Sequence, residues 1–309
     1  MHLISKGSIS EIRGDGRGLA YLCARSAIQV VDLDRQKVIK RLGNGKNFYH
    51  IAINSNGNLI AVNAIPETLF IYDSGTGKTI FSLNLANMYH AELGSEIFFS
   101  PDDKYIVTGD SSGNIYLIDW SCKEVHIIKH FDTSIDAIQF DMVNTFTFYI
   151  TDTGILQWKY PFEENSPRFI SMKMIKNTYN NTSLEFSFHR FCFINEKKAF
   201  AANIRITEGL QFKKCLGIFN TDITSLMGVG IYAKDKLLTQ FRIFWSNDGE
   251  YLALLNYFEE KDHNVYIVKF NGLEIIKTYF IANPSYAWFV DRDKVMVSSD
   301  FRGVYILTV

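Results

Sequence analysis

The chain has 309 residues, with 32 Lys+Arg against 33 Asp+Glu and a formal net charge of -1. That balance excludes the basic bias of a dedicated nucleic-acid binder and leaves no strongly acidic tail. With 47% hydrophobic and 21% charged residues, the composition is globular, neither disordered nor membrane-embedded.

In chain order, the opening run Met1-His2-Leu3-Ile4-Ser5-Lys6-Gly7 lacks the long apolar core of a secretory leader. No later stretch reaches the roughly 18 uninterrupted apolar residues of a membrane span. Cys23, Cys122, Cys192 and Cys215 are scattered without a CxxC pair, which reads as four reduced, buried or half-buried thiols. A cytoplasmic, soluble protein is expected, and the overlapping sequons at Asn180-Asn181-Thr182-Ser183 are read as chance matches.

The 25 Phe and 16 Tyr fall beside Val, Ile and Thr in short runs punctuated by turn residues, which is strand composition. The best helical candidate is one brief stretch, 83–93. One unit then repeats. Ile51-Ala52-Ile53-Asn54-Ser55-Asn56-Gly57-Asn58-Leu59-Ile60-Ala61-Val62 recurs as Ile97-Phe98-Phe99-Ser100-Pro101-Asp102-Asp103-Lys104-Tyr105-Ile106-Val107. It recurs again as Ile243-Phe244-Trp245-Ser246-Asn247-Asp248-Gly249-Glu250-Tyr251-Leu252-Ala253. Each copy is a strand, a tight polar turn and a second strand. Looser copies start at Ile12, Phe140, Ile194 and Val290. The seven anchors lie about 46 residues apart, near the four-strand blade period of roughly 40–45.

Third strands are predicted over 27–33, 68–73, 115–120, 154–160, 215–220, 264–270 and 303–309, each leading into a fourth. The last unit runs out of chain after its third strand, and the run 2–6 has no sheet of its own. The expectation is an all-β, seven-bladed β-propeller over 1–309, a single domain whose N-terminal strand completes the last blade.

The third unit, Phe99-Ser100-Pro101-Asp102-Asp103-Lys104-Tyr105-Ile106-Val107-Thr108-Gly109-Asp110-Ser111-Ser112-Gly113-Asn114-Ile115-Tyr116-Leu117-Ile118-Asp119-Trp120, resembles a WD-repeat blade. The second and sixth units are similar to it, the others more distantly. The Gly-His pair of a typical unit is missing, and no third strand ends in Trp-Asp; Val31-Asp32, Tyr72-Asp73 and the reversed Asp119-Trp120 stand nearest. The resemblance thus implies the fold without the buried His/Asp/Ser network of such blades, which aromatic packing replaces.

Gly75-Thr76-Gly77-Lys78-Thr79 looks like the end of a P-loop, but Tyr72 stands where the first Gly is needed and a strand follows in place of a helix. It reads as a hairpin turn. His2, His50, His90, His126, His130, His189 and His263 show no zinc spacing, and the Gly-x-Ser-x-Gly elbow is absent. No catalytic, cofactor or metal residues are expected. Glu259-Glu260-Lys261-Asp262 reads as a solvated loop tip.

The resemblance also implies where a partner sits. Connections from second to third strand and from fourth to next first strand share one face. Insertions at 84–95, 175–189, 205–213, 233–240 and 258–263 fall there, while the acidic 163–167 falls on the other side. Tyr179 and Phe186 in the largest insertion are candidate interface anchors. Residues opening the first strands ring the channel mouth, to within a residue: Glu11, His50, Glu96, Asp136, Arg190, Arg242 and Tyr286. The expected function is a non-catalytic protein-protein interaction scaffold, monomeric outside its complex, that binds a protein or peptide on this face. Two alternatives are a small-molecule or metal-binding propeller (a sensor or lyase/hydrolase-like enzyme) working at the channel mouth, and a structural subunit of a larger assembly.

Overall fold

Short apolar runs bounded by Gly, Asn and Asp turns fold here into antiparallel meanders. A computed structural model describes the chain except residues 44–46, 66–67, 85–95, 141–143, 172–183, 195–198, 209–210, 221–225, 230–231, 234–235, 238–240, 257–263 and 301. Over 184–194, 203–208, 211–215, 226–229, 232–233 and 236–237, and at 241, the backbone alone is described. Two compact units form: residues 7–170, and residues 171–309 together with 1–6.

The first strand, β1 (His2–Ser5), belongs to the later unit. The 7–170 unit contains four four-stranded sheets. Sheet one is β2 (Ile9–Gly14), β3 (Leu19–Ala24), β4 (Ala27–Asp32) and β5 (Lys37–Leu42). Sheet two is β6 (Asn47–Ile53), β7 (Leu59–Ile65), β8 (Thr68–Asp73) and β9 (Thr79–Asn84). Sheet three is β10 (Phe98–Phe99), β11 (Tyr105–Gly109), β12 (Asn114–Asp119) and β13 (Glu124–His130). Sheet four is β14 (Ile135–Phe140), β15 (Thr145–Ile150), β16 (Gly154–Lys159) and β17 (Arg168–Ser171).

In the other unit, β18 (Leu184–Ile194), β19 (Ala199–Glu208), β20 (Gln211–Asn220) and β21 (Leu226–Val229) form sheet five. A small hairpin, β22 (Tyr232–Ala233) with β23 (Lys236–Leu237), follows it. Sheet six is β24 (Phe241–Trp245), β25 (Tyr251–Asn256), β26 (Asn264–Lys269) and β27 (Glu274–Phe280). Sheet seven is β28 (Pro284–Phe289), β29 (Lys294–Ser299) and β30 (Gly303–Thr308), with β1 as its fourth strand.

Six of these sheets are built from strands of at most seven residues, whereas β18, β19 and β20 run to 11, 10 and 10. Residues 184–189 and much of 205–213, expected as loop insertions, therefore extend a hairpin, paired out to Glu208↔Gln211. Long-range pairing absorbed what looked like loop sequence. The insertion at 258–263 lies outside the described residues, as does 85–93 of the helical candidate.

The N-terminal strand joins the last sheet as expected, with His2↔Ile306 and Leu3↔Tyr305 in register. Gly303 admits it: with φ at 117°, a Cβ there would lie 1.8 Å from the Ser5 carbonyl oxygen. Only a residue without a side chain fits.

The repeated turn has one construction. Asn54, Ser100 and Ser246 each accept, through a side-chain oxygen, the amide of the residue five on: Leu59 at 2.9 Å, Tyr105 at 3.0 Å and Tyr251 at 2.9 Å. The fourth turn residue is left-handed in all three, at Gly57, Asp103 and Gly249. The cores lie between neighbouring sheets. Tyr21, Val30, Ile51, Val62 and Phe70 pack between sheets one and two, and Val107, Ile138, Phe146 and Phe148 between three and four. Fully burying one such aliphatic or aromatic side chain is worth about 1.5–3 kcal/mol.

Aromatic packing is not the whole account. In sheet three a buried aspartate, Asp110, accepts the amides of Ser112 and Asn114, the Asn114 side chain and the Tyr116 hydroxyl, the last at 2.6 Å. His130 Nδ1 lies 2.8 Å from Asn114 Oδ1. This blade has a polar cross-link after all, built from a different residue set.

Candidate functional site

Within each four-stranded sheet the first strand opens at the end where the second strand turns into the third. In four sheets that opening carries a one-residue bulge. Ile9↔Ala24 is followed by Glu11↔Cys23, Ile135↔Ile150 by Ala137↔Tyr149, and Pro284↔Ser299 by Tyr286↔Ser298. In sheet two Phe48↔Ala64 is followed by Ile51↔Val62, so Tyr49 and His50 share one partner, Asn63. The bulge residues are thus Ser10, Tyr49, Asp136 and Ser285, and their successors are Glu11, His50, Ala137 and Tyr286. A bulge re-aims the side chains around it.

The successors turn inward. Glu11 is 1% exposed, yet three donors surround its carboxylate: Arg13 at 2.5 Å, the His50 ring at 3.1 Å and the Ile51 amide at 3.1 Å. Burial alone pushes its pKa up, but the Arg13 charge and the hydrogen bonds from His50 and Ile51 outweigh it and hold it at about 2. His50 is fixed twice, since its own amide donates to Asn63 Oδ1 at 2.7 Å. Arg13 also lies over the Phe98 ring, 5.2 Å from its centroid. Tyr286 is buried against Phe244, ring centroids 4.7 Å apart, so it is a core residue in place of a rim one.

Glu96 and Arg242 are engaged in the same way as Glu11. Glu96 Oε2 accepts the Ile138 amide at 3.0 Å, and Arg242 Nη1 donates to the Ser285 carbonyl at 2.6 Å. Ile51 and Ile138 hold corresponding places, each the second residue after its bulge. In each case a side chain from one first strand, or from the residues just before it, fastens the opening of the next sheet's first strand.

Two bulge residues point the other way. Tyr49 is 40% exposed and Asp136 is exposed, its carboxylate accepting only a local Ser134 hydroxyl bond at 2.5 Å among the described contacts. Ile65, opposite Asn47 at the end of β7, is 52% exposed. Asp152 and Asp132 lie exposed in the adjoining connections. Burial pushes the Tyr149 phenol up, and the nearby charges of Asp136 and Asp152 push it the same way. Sequence reasoning named His50 and missed its neighbour Tyr49; the missing signal was the bulge, which two-residue periodicity does not reveal.

Of the remaining candidates, Tyr179 lies outside the described residues. Phe186 pairs with Ile204 in β18, and Arg190 falls within the irregular register between Ser187 and Cys192, with backbone alone described. Asp73 to Lys78 form a tight turn closed by an Asp73 amide to Lys78 carbonyl bond of 2.9 Å, with the Thr76 amide on Asp73 Oδ1. That is a hairpin, with no helix to hold phosphate. Cys23 is buried and Cys122 exposed, both free thiols. Among the described residues no cluster of three or more His, Cys, Asp or Glu could hold a metal, and no helix is long and apolar enough to cross a membrane.

No family model matches the sequence. Solved structures do. The Cps50 (Swd1) β-propeller domain of Myceliophteria thermophila superposes with a TM-score of 0.73 at 12% identity, covering 100% of this chain and 99% of that one. The fold is a β-propeller. A chain of Kuenenia stuttgartiensis hydrazine synthase is similar to the same extent, with a TM-score of 0.72 at 13% identity over 100% of this chain and 98% of that one. At such identities the likeness concerns the fold alone, and one propeller can host unrelated activities. The four-stranded sheets are therefore blades, and the fastened strand openings lie where each blade's first strand begins.

Proposed function

We propose that this chain is a seven-bladed, WD-like propeller working as a non-catalytic protein-binding scaffold, with its partner on the face of the second-to-third turns. One observation carries the reading. In the 7–170 unit the carboxylates of Glu11 and Glu96 tie strand to strand, giving a stiff frame from which Tyr49 and Asp136 project. A partner that docks on a stiff frame loses little binding energy to ordering it. The likeness to a Swd1 propeller domain supports the WD-like architecture. In this reading Tyr179, Phe186 and Arg190 remain candidate partner contacts of the other unit, no metal or cofactor takes part, and the free chain is a monomer.

The test is native affinity purification from the source organism, followed by cross-linking of the recovered complex. A stoichiometric protein cross-linked to this face is expected. A tightly held small molecule with no protein partner would overturn the reading.

A further inference from the structure

Tyr49 and Asp136 hold the same bulge position in blades two and four of the 7–170 unit, and both are exposed. Near Tyr49 on the same sheet Ile65 is 52% exposed, opposite the exposed Asn47, and the His50 beside Tyr49 is turned away to Glu11. Around Asp136 the surface is anionic. Asp132 and Asp152 are exposed in the connections on either side of β14 and β15, and no ion pair joins any of the three to a cation among the described residues. The backbone bond from the Thr151 amide to the Ser134 carbonyl, 2.9 Å, draws the Asp152 turn to the Asp136 strand. Among the described residues Arg25 is an exposed cation on the Tyr49 side, in the turn from β3 to β4. The rim thus has an apolar aromatic end and a triple-aspartate end, with blade three between.

We propose that this rim docks a basic, extended segment of another protein, with a large apolar side chain seated on Tyr49 and Ile65 and Lys or Arg residues facing Asp132, Asp136 and Asp152. The commitment to a basic partner comes from charge complementarity: among the described residues three exposed carboxylates cluster here, while Lys129 lies over the Phe131 ring and no ion pair joins it to them. The commitment to an apolar anchor comes from Tyr49, an amphipathic aromatic of the kind enriched at hot spots, on a bulge pinned by the Asn63 hydrogen bond. The inference rests on the scaffold reading and narrows it to a partner chemistry.

The experiment uses the full chain and an array of synthetic peptides of about ten residues. One Leu, Ile, Phe or Tyr is placed at varied spacing from a Lys-Arg pair, and each peptide is matched by a charge-reversed and a Ser-for-apolar version. Binding is read by fluorescence anisotropy. At least one basic-apolar spacing is expected to bind about tenfold more tightly than both of its controls. Tyr49→Ser and Asp136→Asn are each expected to weaken it about tenfold, with native circular dichroism retained, and binding is expected to fall as salt rises. The proposal is overturned if no spacing outbinds its controls, if the acidic versions bind equally well, or if folded Tyr49→Ser and Asp136→Asn chains bind as the wild type does. A natural partner that stays bound to the doubly substituted chain would sink this docking mode and leave the scaffold reading standing.

Discussion

Glu11 in the first blade and Asp136 in the fourth open corresponding strands, yet one carboxylate is buried among donors and the other faces solvent. They are one register position apart. Asp136 is the bulge residue and Glu11 the residue after it. Reach adds to register: Glu11 and Glu96 both extend to the amide of a neighbouring first strand, whereas the shorter Asp136 stays with its own Ser134. One backbone insertion and one methylene separate a structural fastener from a free surface charge.

That contrast can be broken experimentally. Glu11→Ala is expected to have the largest effect, a loss of about 3–5 kcal/mol by urea denaturation, because it strands a half-buried Arg13 and an unpaired Ile51 amide. A midpoint within error of wild type would contradict the fastening role. Acid sharpens the same point. The Glu11 carboxyl, depressed to about 2 from an ordinary 4.5, contributes stability that is fully present above pH 4.5 and is lost as pH falls towards 2. Wild type should lose about 3 kcal/mol more than Glu11→Gln across that window, and parallel curves for the two would refute it.

Smaller effects follow along the frame. Glu96→Ala leaves the Ile138 amide unpaired and should cost about 1–3 kcal/mol, with faster hydrogen exchange at Ile138 as the specific readout. Asn63→Ala frees the Tyr49–His50 bulge, costing about 1 kcal/mol and raising exchange at the His50 amide. Asp136→Ala should change stability by no more than about 0.5 kcal/mol, since its carboxylate is exposed. A loss comparable to that of Glu11→Ala would erase the distinction between the two positions.

Much of the architecture was legible in the chain. The turn copies at Asn54, Ser100 and Ser246 gave the blade period, because a tight turn demands particular oxygen acceptors and a left-handed residue whatever surrounds it. The leftover run at 2–6 and the missing last strand gave the pairing of β1 with β30. Sheet five was harder to read. Polar and aromatic residues over 184–189 and 205–213 suggest loops, yet β18 and β19 continue as a long hairpin whose pairing depends on the partner strand. The rim is legible in the sequence only to within a residue, because a bulge sets Tyr49 outward beside His50 and the Tyr286 ring packs on Phe244 in the core.

Local chemistry written in the sequence therefore determined the repeat and the turns, since each depends on neighbours close along the chain. The last sheet's borrowed strand followed from the repeat count and pairs residues some 300 positions apart. Tertiary structure alone decided which side chains at the strand openings are sealed into the frame and which remain available. That choice depends on bulge register and on amides some 40 residues away, such as Ile51 for Glu11 and Ile138 for Glu96, which only the packed sheets bring within reach.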